Sequence, residues 1–470
     1  MNSMMSAWFL LALLSATIFA TEATAAATPN PWLRPETVPA PANNATTPVR
    51  VELGRNLFFD PRLSLLNSMS CANCHNPALG WSDGLPTAVG NNMKILDRAT
   101  PTLVNTAYNK IQMWDGRFRT LEDQATGPIT ADGEMNQNLD DLIIELGAIP
   151  GYVSLFEAAY PGEGINKATI SKGLAAYQRT IVSNDAPFDR WQKGDEKAVD
   201  ASVKRGFQVF KEKGRCDTCH GGFNFTDDGF HNIGLKGNID PGRYAKVAIQ
   251  AMRGAFKTPT LRDIALTGPY MHDGRYETLE ETINHYDRGG DKVDNVDEQI
   301  QKLGLSTQEK ADLLAFMHAL TGASMQVVMP QLPNRVKGAR TKAVAFNKPA
   351  PEPVSAPVKK PDAIPVKTVL VKTTEPADTK LAKYEILQND KLFFYKGKQI
   401  VTMKLQAGDT VQFHNEDKVF HNLYSISEAK TFDLGAMRKG DIRKMTFEQR
   451  GDVEVQCAIH TDMLLVLDVR

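Results

Sequence analysis

Cys71-Ala72-Asn73-Cys74-His75 and Cys216-Asp217-Thr218-Cys219-His220 are the stretches best equipped for chemistry. In each, two thiols lie three positions apart and an imidazole follows the second directly. This spacing suits thioether attachment of both thiols to one haem, with the adjacent histidine as the proximal ligand of the iron. A further constellation lies near the C-terminus. Cys457, His460 and Met463 share one short loop, and His421-Asn422 lies upstream. Two imidazoles, a thiolate and a weak axial thioether form a blue-copper set, suited to an ion cycling between Cu(I) and Cu(II). A lone cysteine on a strand is ordinarily a small core residue; the crowding of Cys, His and Met on one loop favours copper. His414 falls before the strand turn and is not expected to ligate. His231 and His318 read as structural. All five cysteines are thereby used, and none remains for a structural disulfide.

The elements that must position these residues follow from composition and period. At 470 residues, with 42% hydrophobic and 23% charged residues, the chain has ordinary globular composition and room for about three domains. A net charge of -1 gives no electrostatic case for nucleic acid. The apolar run Ala7–Ala20, followed by small residues to Ala27, reads as an export signal over residues 1–27. It is shorter than the roughly 20 residues of a membrane span. Its first residues lack Lys and Arg, so an uncleaved anchor is the alternative; no other stretch could cross a bilayer, and a periplasmic location is expected. Residues 28 to 48 read as an extended lead-in. Leu53, Leu57 and Phe58 then recur at helical spacing with Gly54, and a Gly206/Phe210 pair precedes the second haem motif.

An internal repeat organises residues 45–325. Thr100-Pro101-Thr102-Leu103 recurs at Thr258–Leu261, and Asp115-Gly116-Arg117 recurs at Asp273-Gly274-Arg275, both at one offset (258 − 100 = 273 − 115 = 158). Two related haem domains are expected, at 45–195 and 196–325. Thr120 and Thr278 each begin a capping box, so a helix should follow each. From 326 to 380 proline alternates with Lys, Ala and Val, as in a semi-extended linker. Its length would let the last domain swing to a haem edge. Beyond it the period becomes two, at Tyr384–Leu387, Ile400–Met403, Thr410–Phe413, Val453–Gln456 and Leu464–Leu467. Residues 381–470 thus read as a β-sandwich. The fold class is mainly α, two cytochrome c-like domains, followed by an all-β sandwich.

Whether each iron has a sixth ligand decides its chemistry. Met271, His272, His285 and Tyr286 are candidates in the second domain; Met271 has an equivalent, Met113, and both are more simply packing residues. His285 and Tyr286 are helix neighbours about 100° apart, so only one can face an iron. Subtracting 158 from Tyr286 gives Pro128, which has no donor, and no histidine lies between His75 and His220.

Residues 50 to about 325 resemble the bacterial dihaem cytochrome c peroxidases, and within them the MauG branch. The resemblance rests on both haem motifs, the T-P-T-L segments, Trp114-Asp115-Gly116-Arg117, Gln124, Pro128, Glu134, Leu266–Tyr270 and His272-Asp273-Gly274. It implies that Tyr286 ligates the second haem, where ordinary family peroxidases carry Met. It implies that Asn91 replaces the distal histidine, leaving the first haem open to hydrogen peroxide. Glu134 and Gln124 would assist O–O cleavage, and Trp114 would bridge the haems. A calcium ion between them would use carbonyls of Thr267 and Pro269, although Ala99 replaces the usual Asn ligand. The last domain resembles the cupredoxins. The expected whole is an exported dihaem peroxidase-like oxidoreductase, taking electrons through its copper domain or from a small cytochrome or cupredoxin. The alternatives are a maturation enzyme that oxidises side chains of a partner protein, and a pure electron-transfer protein.

Overall fold

The structure is a computed structural model describing residues 30–323, 325, 327–334, 382–419, 421–460 and 463–470. The expected signal segment and residues 335–380 of the expected linker lie outside the described residues.

Two helical lobes come first, each built on a crossed helix pair. Pro48–Phe58 crosses Lys167–Gln178, and Ala201–Lys211 crosses Thr307–Ala319. The glycines at the crossings permit the contact. A Cβ on Gly54 would lie 1.9 Å from the Gly173 carbonyl oxygen, and one on Gly206 would lie 1.9 Å from that of Asp312. Leu53, Leu57 and Phe58 fill the first core with Tyr152 and Ile170. Phe188, Phe207, Phe210, Phe225 and Phe316 fill the second. Phe188 belongs to the helix Pro187–Gln192, inside the range expected for the first domain, yet it packs in the second core. Trp32 of the lead-in meets Phe207 edge-to-face and Phe225 at a tilt.

Both T-L-E helices form, but unequally. Leu279–Asp287 runs nine residues, capped by Thr278 and Glu281. Leu121–Ala125 stops after five, followed by the short turn Gly127–Thr130, whose Pro128 cannot donate to a continuing helix. The lobes meet about an approximate two-fold. The Ala99 amide donates to the His272 carbonyl (2.7 Å), and the Lys257 amide donates to the Trp114 carbonyl (2.8 Å). These pairs are repeat equivalents, since 257 − 99 and 272 − 114 both equal 158.

Strands β1 (Phe230–His231) and β2 (Phe256–Lys257) pair within the second lobe. The C-terminal strands are β3 (Tyr384–Asn389), β4 (Leu392–Tyr395), β5 (Lys398–Gln399), β6 (Thr402–Leu405), β7 (Asp409–Asn415), β8 (His421–Ser427), β9 (Lys430–Met437), β10 (Ile442–Phe447), β11 (Gly451–Cys457) and β12 (Leu464–Val469). They form two five-stranded sheets, ordered β10-β7-β3-β4-β5 and β6-β12-β11-β8-β9. Val411, Phe413, Val453, Val455, Leu465 and Leu467 alternate into the core between them. The sandwich packs on the second lobe: Tyr424 and Ala458 join an apolar cluster with Phe230, Val247, Ile249 and Met252.

Candidate haem cavity and copper centre

A cavity of 1010 Å³ runs between the lobes, and all six residues of the two C-x-x-C-H motifs that could hold haem line it. In the first motif Ser70 caps the short helix Cys71–Cys74, which turns both thiols and His75 to one side. His75 Nδ1 lies 3.1 Å from the Trp81 carbonyl, and His220 Nδ1 lies 2.8 Å from the Phe225 carbonyl. Each carbonyl accepts the Nδ1 proton, which leaves Nε2 as a neutral donor for a metal. Burial lowers the basicity of both imidazoles. The residues present therefore fit covalently held haem at both motifs.

The far sides differ. Tyr286 and Pro128, the repeat equivalents, both line the cavity. His285 does not: its Nδ1 is 3.0 Å from the Tyr276 hydroxyl, and its Nε2 donates to the Ile233 carbonyl at 2.8 Å. With both nitrogens engaged by protein, His285 is tied into its own lobe while its neighbour faces the cavity. Burial beside Cys219 and Cys216 raises the Tyr286 phenol; a bound cation would oppose that shift.

Glu134, Gln124 and Trp114 also line the cavity. Burial raises the Glu134 carboxyl, with the Arg117 charge opposing it. Glu134 is held by backbone: the Asn91 amide donates to its carbonyl at 2.7 Å, and a Cβ on Gly90 would lie 1.9 Å from the Gly133 carbonyl oxygen. Val89-Gly90-Asn91 therefore braces the Glu134 turn, a role the sequence reading did not find. Gln124 donates to Met113 Sδ at 3.6 Å. Trp114 donates from its indole to the Ala99 carbonyl at 2.9 Å and faces its equivalent, His272, at 6.5 Å between ring centroids. His272 itself stacks on Phe256 at 3.6 Å. Thr267 and Pro269 line the cavity as well.

In the sandwich, His421 opens β8, Cys457 closes β11, and Cys457 pairs with Leu423 across the sheet. Cys457 Sγ is 3.7 Å from His421 Nδ1 and 3.5 Å from His460 Nδ1, and the two imidazole nitrogens are 3.1 Å apart. Three donor atoms thus converge on one point, all buried. His421 Nε2 is oriented by Asp417 at 3.3 Å, which leaves Nδ1 for an ion. Burial holds both imidazoles neutral, pushing His460 down to about 2 with help from His421. Met463 is 1% exposed beside them, and the Cys457 amide donates to its carbonyl at 3.1 Å. The donor set fits a copper ion. His414 points instead toward Glu385 and Glu416, and His318 is exposed on its helix.

Residues 48–197 match the di-haem cytochrome c peroxidase family. The chain is 49% identical over 303 residues to the methylamine utilization protein MauG of Methylorubrum extorquens, covering 64% of this chain and 86% of that one. It is 36% identical to the cytochrome c551 peroxidase of Pseudomonas aeruginosa, covering 60% and 81%. A crystal structure of a MauG-like protein associated with microbial copper homeostasis superposes with a TM-score of 0.59 at 30% identity, covering 62% of this chain and 96% of that one. Two haem-binding lobes of this kind define a di-haem c-type oxidoreductase. The chain belongs to the di-haem cytochrome c peroxidase and MauG family.

Proposed function

We propose that this protein is an exported peroxidase that reduces hydrogen peroxide at a haem held by Cys71, Cys74 and His75, with electrons supplied through its copper domain or by a redox partner protein. Bound there, the haem would supply an iron with one open coordination position. The observation that carries the reading is the asymmetry of the cavity: Pro128 stands on one side where Tyr286 stands on the other. A prolyl ring cannot close an iron, whereas a phenolate can. Glu134, half-buried with a raised pKa, would take a proton from one peroxide oxygen and return it to the other. The Gln124 amide would orient the peroxide by hydrogen bonding. Trp114, at the contact of the lobes, would connect the two haem sites, and Cys216, Cys219, His220 and Tyr286 would hold the second. His421, Cys457, His460 and Met463 would hold copper.

Peroxide consumption by the purified holoprotein, with a small reduced cytochrome as donor, tests this. Turnover that Glu134→Gln slows by about 10²–10⁴-fold supports the reading; turnover indifferent to Glu134 contradicts it. A second reading, oxidation of side chains on a partner protein, is favoured by the 49% identity to a MauG. Mass shifts in a partner protein after peroxide treatment, without turnover of the small donor, would select it.

A further inference from the structure

The sandwich presents the edge that carries its metal-ligand loop to the second lobe. His460 is only 7% exposed, and its neighbours Ala458 and Ile459 pack with Phe230, Val247, Ile249 and Met252 of the haem domain. The contact is backbone-close: a Cβ on Gly229 would lie 2.9 Å from the Ile459 carbonyl oxygen. Gly229 donates its amide to Asp227 Oδ1 at 2.8 Å. Asp227 Oδ2 meets His231 Nε2 at 3.1 Å, and Asp297 holds the opposite nitrogen at 2.6 Å. Cys219 Sγ, Asp227 and His231 place their polar atoms within 4.8 Å of one another. A continuous run of half-buried and buried contacts therefore leads from the His460 loop to a cysteine of the second haem motif.

We propose that this docked face is an internal electron junction between the copper centre and the haem held by His220, with His231, clamped by Asp227 and Asp297, as the positioning residue of its haem-side wall. The inference rests on the copper and haem assignments made above. One electron leaves the reduced copper, Cu(I) becoming Cu(II), and the haem iron is lowered by one oxidation level; no bond forms or breaks.

The test uses the oxidised full-length holoprotein and a flash-generated one-electron reductant, with the copper–thiolate and haem absorption bands followed together. The expected result is a first-order phase in which the two bands change oppositely, with a rate constant unaffected by dilution. Ile249→Asp, which places a carboxylate in the apolar contact, should lose that phase while both absorption spectra persist and small-angle scattering reports a larger radius. Gly229→Ala, a milder change against the Ile459 carbonyl, should slow it. A wild-type phase that is absent or scales with protein concentration, or a phase that persists unchanged in both variants, overturns the proposal. No step of the assay uses peroxide. A protein that passes it without turning over peroxide would refute the proposed function and leave the junction standing.

Discussion

Glu134 is the side chain on which the proposed chemistry turns. Its carboxyl is raised by burial, and only the carboxylate can take a proton from peroxide. The fall of kcat/KM at low pH should therefore lie above the ordinary glutamate value of about 4.3. As pH drops through the raised pKa the base is lost and the rate falls. Glu134→Gln should cost about 10²–10⁴-fold in kcat/KM and remove that acid limb, with both haem spectra unchanged. A steady-state pH profile of both proteins checks each outcome. His285 and Tyr286 show where spacing runs out at this scale. Adjacent positions on one helix are equivalent in sequence, and what separates them is that Tyr276 and the Ile233 carbonyl engage both nitrogens of His285. Tyr276 lies nine positions before it and Ile233 lies 52 before it, and no periodicity marks either as its partner.

The helix crossings make the sharpest statement at the level of elements. Gly206→Ala would drive a Cβ into the Asp312 carbonyl and should destabilise the protein by about 1–3 kcal/mol. Gly147→Ala, where nothing lies within 4 Å, should stay within about 0.5 kcal/mol. Denaturant titration of the pair separates a packing role from simple helix propensity. Both crossing glycines were legible in sequence, as were the Thr278 capping box, the repeat and the strands that alternate into the sandwich core; at Thr120 the hydroxyl caps the Asp123 amide but the expected box does not close. The strands β4, β5, β8, β9 and β10 were not. β9 and β10 carry Lys430, Asp433, Arg443 and Lys444 among their apolar residues, which dilutes the two-residue period. The reciprocal pairing of Ala99 with His272 and of Lys257 with Trp114 left no trace either, because it is made by backbone groups that every residue possesses. The bracing of Glu134 by Asn91 is hidden for the same reason.

At the scale of the whole molecule, the sandwich is seated on the second lobe through Tyr424 and Ala458, where the linker composition led us to expect a domain free to swing. Copper held by buried ligands should stabilise its own domain chiefly. Saturation at about 1,000-fold over Kd contributes about 4 kcal/mol, so a copper chelator should lower the sandwich transition in calorimetry and leave the haem-lobe transition in place. The central claim is that two near-identical motifs hold irons in unlike states, one open beside Pro128 and one closed by Tyr286. The electron paramagnetic resonance spectrum of the resting ferric protein tests it most directly, recorded beside that of Tyr286→Phe. The account predicts a high-spin signal from the His75 haem in both proteins, and a change confined to the second haem's signal in the variant. A wild-type spectrum with two six-coordinate low-spin haems, or a second signal untouched by the loss of the phenol, would contradict it.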